Sequence, residues 1–439
     1  MTAFWCEQAV VGDAVLRFVR IEEVGGVITA VTADTQTRDT DTRLAGLVLP
    51  GLANGHSHAF HRALRGRTHA DGGTFWTWRE KMYRVAALLE PDNYFELATA
   101  VFAEMVLAGY TVVGEFHYVH HQQDGRPYEN ATAMEDAVVA AAARAGIRLT
   151  LLDTLYVQGG LTESGDTVPL SESQKRFSDG TVERWTERRE ATSFGPLARA
   201  GAAIHSVRAV PPSLFAEIRD ATRGIPLHAH VSEQPAENVA AQGAFGATPT
   251  ALFAEAGLLG ESFTAVHGTH LRDADIRLLG DSRSTVCFCP TTERDLADGI
   301  GPATALRGAG ARISLGSDQN AIIDPFEELR GLEMDDRLGS GERGRFTPAQ
   351  LLTAATSDGY ASLGWNGGRI EVGAVCDLVA IAMTTPRTAG AASEQAWLAA
   401  SSADVKTVVV GGVIRVDAGH HALGDIGAFL GTAIGTVSR

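Results

Sequence analysis

Residues 49–61, LPGLANGHSHAFH, carry an apolar run that breaks at Gly51 and closes on two histidines with one residue between them. Successive side chains of a β-strand point to opposite faces, so His56 and His58 leave such a strand on the same side. Two imidazoles at one strand end need a common partner. The rest of the chain shows where that partner is held.

Further strand-like runs recur through the middle of the chain at 110–116 (YTVVGEF), 147–153 (IRLTLLD), 202–207 (AAIHSV) and 225–231 (IPLHAHV), then at 263–268 (FTAVHG), 284–289 (STVCFC) and 312–317 (RISLGS). Helical stretches such as AMEDAVVAAAARAG separate most of them, and a polar, glycine-rich insertion spans roughly 156–200. Eight strands alternating with helices predict an α/β fold, a (β/α)8 TIM-like barrel. Both ends read differently. VLRFVRIEEVGGVITAVTA near the start and VKTVVVGGVIRVDAG near the end alternate around Gly25-Gly26 and Gly411-Gly412, as hairpins do. Residues 1–48 and 370–439 are therefore expected to meet in one small β-sandwich domain, with a catalytic barrel over 49–369.

A chain of 439 residues exceeds one small core, in keeping with a large domain plus a smaller one. Its net charge of −16 argues against nucleic acid, which wants a basic stripe. No apolar run approaches the ~18 residues that span a bilayer, and no basic stretch followed by an apolar one marks a signal peptide. A cytoplasmic protein without a membrane partner is expected. Cys6, Cys287, Cys289 and Cys376 have neither zinc-knuckle nor disulfide-framework spacing, and Cys287 and Cys289 read as buried thiols on one strand.

Barrel enzymes place their chemistry at the C-terminal ends of the strands. There the sequence puts His56 and His58, then Glu115 to Tyr118, His205 and Arg208, His228, His230 and Glu233, His267, and Asp318. Burying this many imidazoles without a ligand would leave unpaired polar groups at about 1–3 kcal/mol each. His56, His58, His230 and Asp318 form an N3O set that suits Zn²⁺, with Fe²⁺ as a substitute, and leaves a position for water. His228, one layer lower, reads as support or packing; His69, His270, His420 and His421 have no assigned role. His117, His120 and His121 are placed to line the mouth of the barrel.

HSH after strand one, HAHVSE at strand five, a histidine on strand six and Gly316-Ser317-Asp318 on strand eight resemble the amidohydrolase superfamily, specifically its deaminase branch. The resemblance implies that Glu233 handles protons beside the metal. Members with two metals carry a bridging carbamylated lysine on strand four. This chain has His205 in that region, and its three lysines, Lys81, Lys175 and Lys406, all fall outside the barrel strands. One Zn²⁺ per chain is expected.

Three more stretches, FWTWREKMYR (75–84), GEFHYVHH (114–121) and HSVRAV (205–210), together with HSHAFHRALRG, closely resemble the formimidoylglutamate deiminases. That family implies a homodimeric hydrolase of linear amidines in histidine breakdown, converting N-formimidoyl-L-glutamate to N-formyl-L-glutamate and ammonia. The chemistry agrees, because a substrate with two carboxylates wants rigid arginine forks. Arg79 and Arg208 supply them, with Tyr118 and His205 as further donors. Arg65, Arg67 and Arg84 read as surface residues, and Phe75, Trp76 and Trp78 as packed aromatics. Glu233, His267 and Asp318 are the expected catalytic groups: His267 or Asp318 accepts the proton of the attacking water, and Glu233 protonates the imino nitrogen. His61 stands where the family often has glutamine, so its substrate contact is open. The rival readings are a deaminase of a guanidine or purine-type substrate and, in another class, a non-catalytic dicarboxylate-binding barrel.

Overall fold

The computed structural model describes residues 2–69 and 75–438, with the side chains of Phe75 and Trp76 outside that description. Its first four strands, β1 (Thr2–Val11), β2 (Ala14–Val24), β3 (Val27–Thr32) and β4 (Thr42–Pro50), belong to one sheet. The chain then enters the barrel with β5 (Leu52–Ser57), β6 (Tyr110–His117) and β7 (Arg148–Leu155). A short hairpin follows, β8 (Gly160–Leu161) with β9 (Thr167–Val168). The barrel resumes with β10 (Ala198–Ile204), β11 (Leu227–Val231), β12 (Phe263–His267), β13 (Thr285–Phe288) and β14 (Arg312–Leu315). Finally β15 (Leu378–Ile381), β16 (Val405–Val410), β17 (Val413–Asp417) and β18 (His420–His421) return to the first sheet.

The eight barrel strands run parallel in the order β14-β13-β12-β11-β10-β7-β6-β5. A parallel bridge between Ser57 and Asp318 closes the circle. All eight strands expected from the sequence are present. The apolar run broken at Gly51 is divided between the two sheets: β4 ends at Pro50 in the terminal sheet, and β5 starts the barrel at Leu52. Gly51 sits at the switch, where a Cβ would fall 2.4 Å from Thr111 Oγ1 and 2.5 Å from the Tyr360 hydroxyl.

The terminal sheet is ordered β18-β17-β16-β15-β4-β1-β2-β3, drawn from both ends of the chain. It is a single sheet bent over its own core, because β3 bonds back to the lead-in of β15 through Ile28 N to Ala374 O and Cys376 N to Gly26 O. Period-two alternation explains its two faces. On β4, Leu44 and Val48 join Phe4, Cys6, Val19 and Cys376 in the small inner core, whereas Leu47 and Leu49 enter the main core with the barrel helices. On β15, Leu378 and Ala380 face the small core and Val379 and Ile381 the main one. The last element is a helix, Ile426–Thr436, packed on the barrel helix Pro91–Ala108.

A buried ion pair fastens the two units. Arg148 of β7 donates from Nε and Nη2 to Asp377 at 2.7 and 3.1 Å, and Asp377 also accepts from the Tyr360 hydroxyl and Gly411 N at 2.7 Å each. The insertion is ordered by a similar device. Arg188, on the helix Val182–Ala191, bonds Glu135, Asp153 and Asp179. All four cysteines are buried and free. No helix among the described residues is long and apolar enough to cross a membrane.

Candidate active site

At the C-terminal end of the barrel, His56 and the end of β5 meet the end of β14. Gly316 permits this approach, since a Cβ there would lie 2.7 Å from His56 O and 2.9 Å from His56 Cβ. Asp318 N donates to His56 O and His58 N to Asp318 O, both at 2.9 Å. Asn54 accepts from Ser317 N at 3.0 Å, while Asn320 Nδ2 donates to His58 O at 3.0 Å. The two strand ends are thus locked in register by residues adjoining the histidines. Asp318, His267 and Ser232 hold φ of 42°, 69° and 52°, a left-handed conformation that costs non-glycine residues and gathers at functional sites.

The donor atoms converge. His230 Nε2 lies 3.2 Å from His56 Nε2, and Asp318 Oδ1 lies 3.3 Å from His56 Nε2 and 3.5 Å from His58 Nε2. His58 Nδ1 donates to Phe116 O and His230 Nδ1 to His205 O, both at 2.9 Å, which turns the Nε2 lone pairs inward. Burial, reinforced by the neighbouring imidazoles, drives the basicity of His56 and His230 well down and that of His58 to about 3. Three neutral imidazoles and one carboxylate aimed at one point fit a divalent cation; without one, their lone pairs would repel. The Phe116 ring, centred 4.4–5.3 Å from the three imidazoles, gives this point an apolar wall.

His267 stands opposite, its Nε2 3.9 Å from both Asp318 Oδ2 and Glu233 Oε1. Its other nitrogen meets Glu293 Oε1 at 3.3 Å. Burial opposes a proton on His267, but the hydrogen bond to Glu293 and the charges of Glu233 and Asp318 raise its basicity well above the ordinary histidine value. Asp298, whose side chain pairs with Gln234, is pushed up to about 8 by burial and then by Glu233.

A cavity of about 70 Å³ opens onto this group, lined by His58, His61, Arg79, Tyr118, His205, Arg208, His230, Glu233, His267 and Asp318. The Tyr118 hydroxyl lies 2.9 Å from His61 Nε2. Arg79 Nε donates to the Tyr83 hydroxyl at 2.8 Å, with its guanidinium 5.3 Å above the Tyr83 ring. Arg208 reaches Glu233 Oε2 at 3.5 Å. Burial lowers the basicity of His205, and the Arg208 charge lowers it further, so it faces the cavity neutral.

The comparisons with known proteins point one way. A profile of the amidohydrolase family matches residues 47–415. The formimidoylglutamate deiminase of Pseudomonas aeruginosa is 36% identical over 96% of each chain. The chain belongs to the amidohydrolase family. A 5-methylthioadenosine/S-adenosylhomocysteine deaminase of Natronomonas pharaonis is 29% identical over 89% of this chain and 86% of its own. Among solved structures, an amidohydrolase from Brucella melitensis superposes with a TM-score of 0.91 at 30% identity, covering all of both chains. An adenosine deaminase from Xanthomonas campestris with bound zinc shares the fold at a TM-score of 0.82 and 24% identity, over 99% of this chain and 97% of its own.

In this amidohydrolase every residue singled out as metal-ligating, catalytic or substrate-binding reaches one place; His56, fully buried, contributes from behind the cavity lining. Other expectations are corrected. His117 and His120 do not line the mouth; they turn behind β6 onto the buried Glu135, at 3.1 and 2.7 Å, and His121 pairs with Asp179. Arg65 is partly buried rather than fully at the surface, and it donates to Asn320 O at 2.8 Å and to Glu104 at 2.6 Å. Trp78 belongs to the main core but also borders the cavity. His228, by contrast, packs as expected and bonds Ser362 O at 3.0 Å. His421, left without a role, is buried and bonds Ala145 O at 3.0 Å. Sequence reasoning missed Glu293, Glu237, Tyr83 and Tyr156. The available signal for Glu293 was its position four residues past Cys289, in the short helix Pro290–Asp295 that follows β13.

Proposed function

We propose that this amidohydrolase hydrolyses N-formimidoyl-L-glutamate to N-formyl-L-glutamate and ammonia. The observation that carries the reading is the entry of two arginines, Arg79 and Arg208, into the cavity that also holds the histidine–aspartate cluster and Glu233. Two guanidinium forks suit a dicarboxylate, whereas a purine gives them nothing to neutralise. The Pseudomonas relative supports the same substrate by its name and its coverage of nearly the whole chain.

His56, His58, His230 and Asp318 would hold one Zn²⁺ per chain, with Fe²⁺ able to take its place. When bound, such an ion supplies Lewis acidity, which brings the acidity of water close to neutrality. Arg79 and Arg208, with Tyr118, His205 and His61 as neutral donors, orient the glutamate part so that the formimidoyl carbon faces that water. His267 Nε2 and Asp318 Oδ2, 3.9 Å apart, are the two bases within reach of the proton lost as oxygen bonds to the carbon. Glu233, 3.9 Å from His267, delivers one proton to the imino nitrogen as oxygen adds to the carbon. The proton of the new hydroxyl then follows to the same nitrogen, the carbonyl forms as that carbon–nitrogen bond breaks, ammonia leaves, and the proton first taken from water restores Glu233. The buried, apolar-walled pocket keeps competing water from these charges.

The resemblance and composition described above also underlie the expectations of a homodimer and a cytoplasmic location. Ammonia release from N-formimidoyl-L-glutamate, guanine, adenosine and N-guanidino-L-glutamate, with metal quantified on the same sample, tests the proposal. Release from the first substrate with about one metal per chain is expected. A purine as preferred substrate would overturn the assignment, and dicarboxylate binding without ammonia release would favour a binding protein.

A further inference from the structure

Beside the inner cavity lies a second chamber of about 330 Å³, between the β8–β9 hairpin and the helix Pro235–Phe245. Arg79, His205 and Arg208 line both spaces and form the wall between them. Glu237 lines only the outer one and is 1% exposed. Neither of its carboxyl oxygens makes a hydrogen bond of ordinary length and angle to a described residue, although the Glu233 amide faces the group. Its cationic neighbour is Arg208, whose Nε lies 3.9 Å from Oε2 and likewise makes no hydrogen bond. The pair is matched in charge but not joined.

A buried carboxyl group with unmade hydrogen bonds costs about 1–3 kcal/mol, so this looseness opposes stability. It suits a partner that changes. A ligand carboxylate entering the inner cavity would take the forward N–H groups of Arg208, and three carboxyl groups would then surround one guanidinium: the ligand's, Glu233 and Glu237. Crowded like charges favour protonation of the one that water reaches least. We propose that Glu237 is the removable counter-charge of Arg208, balancing the guanidinium in the unliganded protein and taking up a proton as a carboxylate ligand binds.

The local electrostatics agree. Burial pushes Glu237 up to about 7; the Arg208 charge pulls it down, the Glu233 charge adds to the rise, and the Glu233 amide and His267 pull down less. Arg79, His205 and Glu163 are the other titratable groups facing this chamber. Within the outer chamber Glu237 is therefore poised to change charge near neutral pH. The inference rests on the reading that Arg208 receives a substrate carboxylate.

Glutarate, which has two carboxylates and no formimidoyl group, separates the two claims. Its binding to the metal-loaded enzyme is measured by calorimetry at pH 7.5 in two buffers of different ionisation enthalpy. Uptake of more than about half a proton per site is expected, falling below about 0.2 in Glu237→Gln. The wild-type Kd should rise roughly tenfold between pH 7 and 8.5, and that of Glu237→Gln should stay flat. Should Glu237→Gln not fold, Glu237→Asp decides, because drawing the charge back by one methylene should move the midpoint of the slope. Unaltered proton uptake in Glu237→Gln, an unmoved midpoint in Glu237→Asp, a flat wild-type slope, or no glutarate binding each overturns the proposal. If glutarate behaves as expected while N-formimidoyl-L-glutamate releases no ammonia, the proposal stands and the substrate reading fails.

Discussion

Two arginines on this barrel do opposite things with their carboxylates. Arg148 holds Asp377 by two short hydrogen bonds, and Tyr360 and Gly411 fill the remaining acceptor sites. Arg208 faces two carboxylates, Glu233 and Glu237, and approaches neither closer than 3.5 Å. The first arrangement meets the desolvation of both charges with directed bonds, so it belongs to the joint between the units. The second leaves donors and acceptors unmade in the same protein interior. A fold able to saturate Asp377 could have saturated Glu237; that it does not marks the place where a ligand is meant to complete the bonding.

The contrast can be broken by mutation. The largest effect is expected at Glu233, where Glu233→Gln should lower kcat by about 10²–10⁴ with metal content unchanged by elemental analysis. Retained turnover would reassign the proton carrier. Arg148→Met should destabilise the protein by about 3–5 kcal/mol, because Asp377 is left charged and buried, while kcat/KM of the folded fraction holds. Denaturant titration measures the first quantity and steady-state kinetics the second. Arg208→Met should reverse that pattern. A loss of about 2–3 kcal/mol in transition-state binding is expected for the dicarboxylate substrate, with little change in unfolding free energy. Equal stability losses at both arginines would erase the distinction.

The last comparison sharpens it through pH. The Glu237 carboxyl titrates at about 7 in the fold, above its ordinary value, so the folded protein binds the extra proton between those values and loses stability as pH rises through that window. Glu237→Gln should therefore stabilise the metal-loaded enzyme by up to about 3 kcal/mol at pH 8 and hardly at all at pH 4. A stabilisation equal at both pH values would mean that Glu237 carries no buried charge. Asp377→Asn should destabilise instead, since it removes the anion that Arg148 needs.

How much was legible in the sequence follows from the range of each interaction. The period-two alternation of β5 puts His56 and His58 on one face whatever surrounds them, and the strand ends give His230, His267 and Asp318 the same legibility. Arginines are harder. Arg65 reads as a surface residue in a polar loop, yet its partner Asn320 stands 255 residues away and reaches it only when β14 closes the barrel. His117 follows the same strand as Phe116 but faces the other way, so the pleat sends it to Glu135 behind the barrel rather than to the mouth.

The sequence by itself determined the alternation of strands and helices, the pairing of the chain ends and the histidine–aspartate set, because local periodicity and residue chemistry specify them. The tertiary structure alone decided which charges were saturated. Arg148 and Arg208 are the same residue type, one at the start of β7 and the other in the turn after the neighbouring strand β10. Only the packing of β15 and the β16–β17 turn around the one, and the outer chamber beside the other, separates a fastening from a receptor, since hydrogen bonding is settled by distances of a few tenths of an ångström that no local pattern encodes.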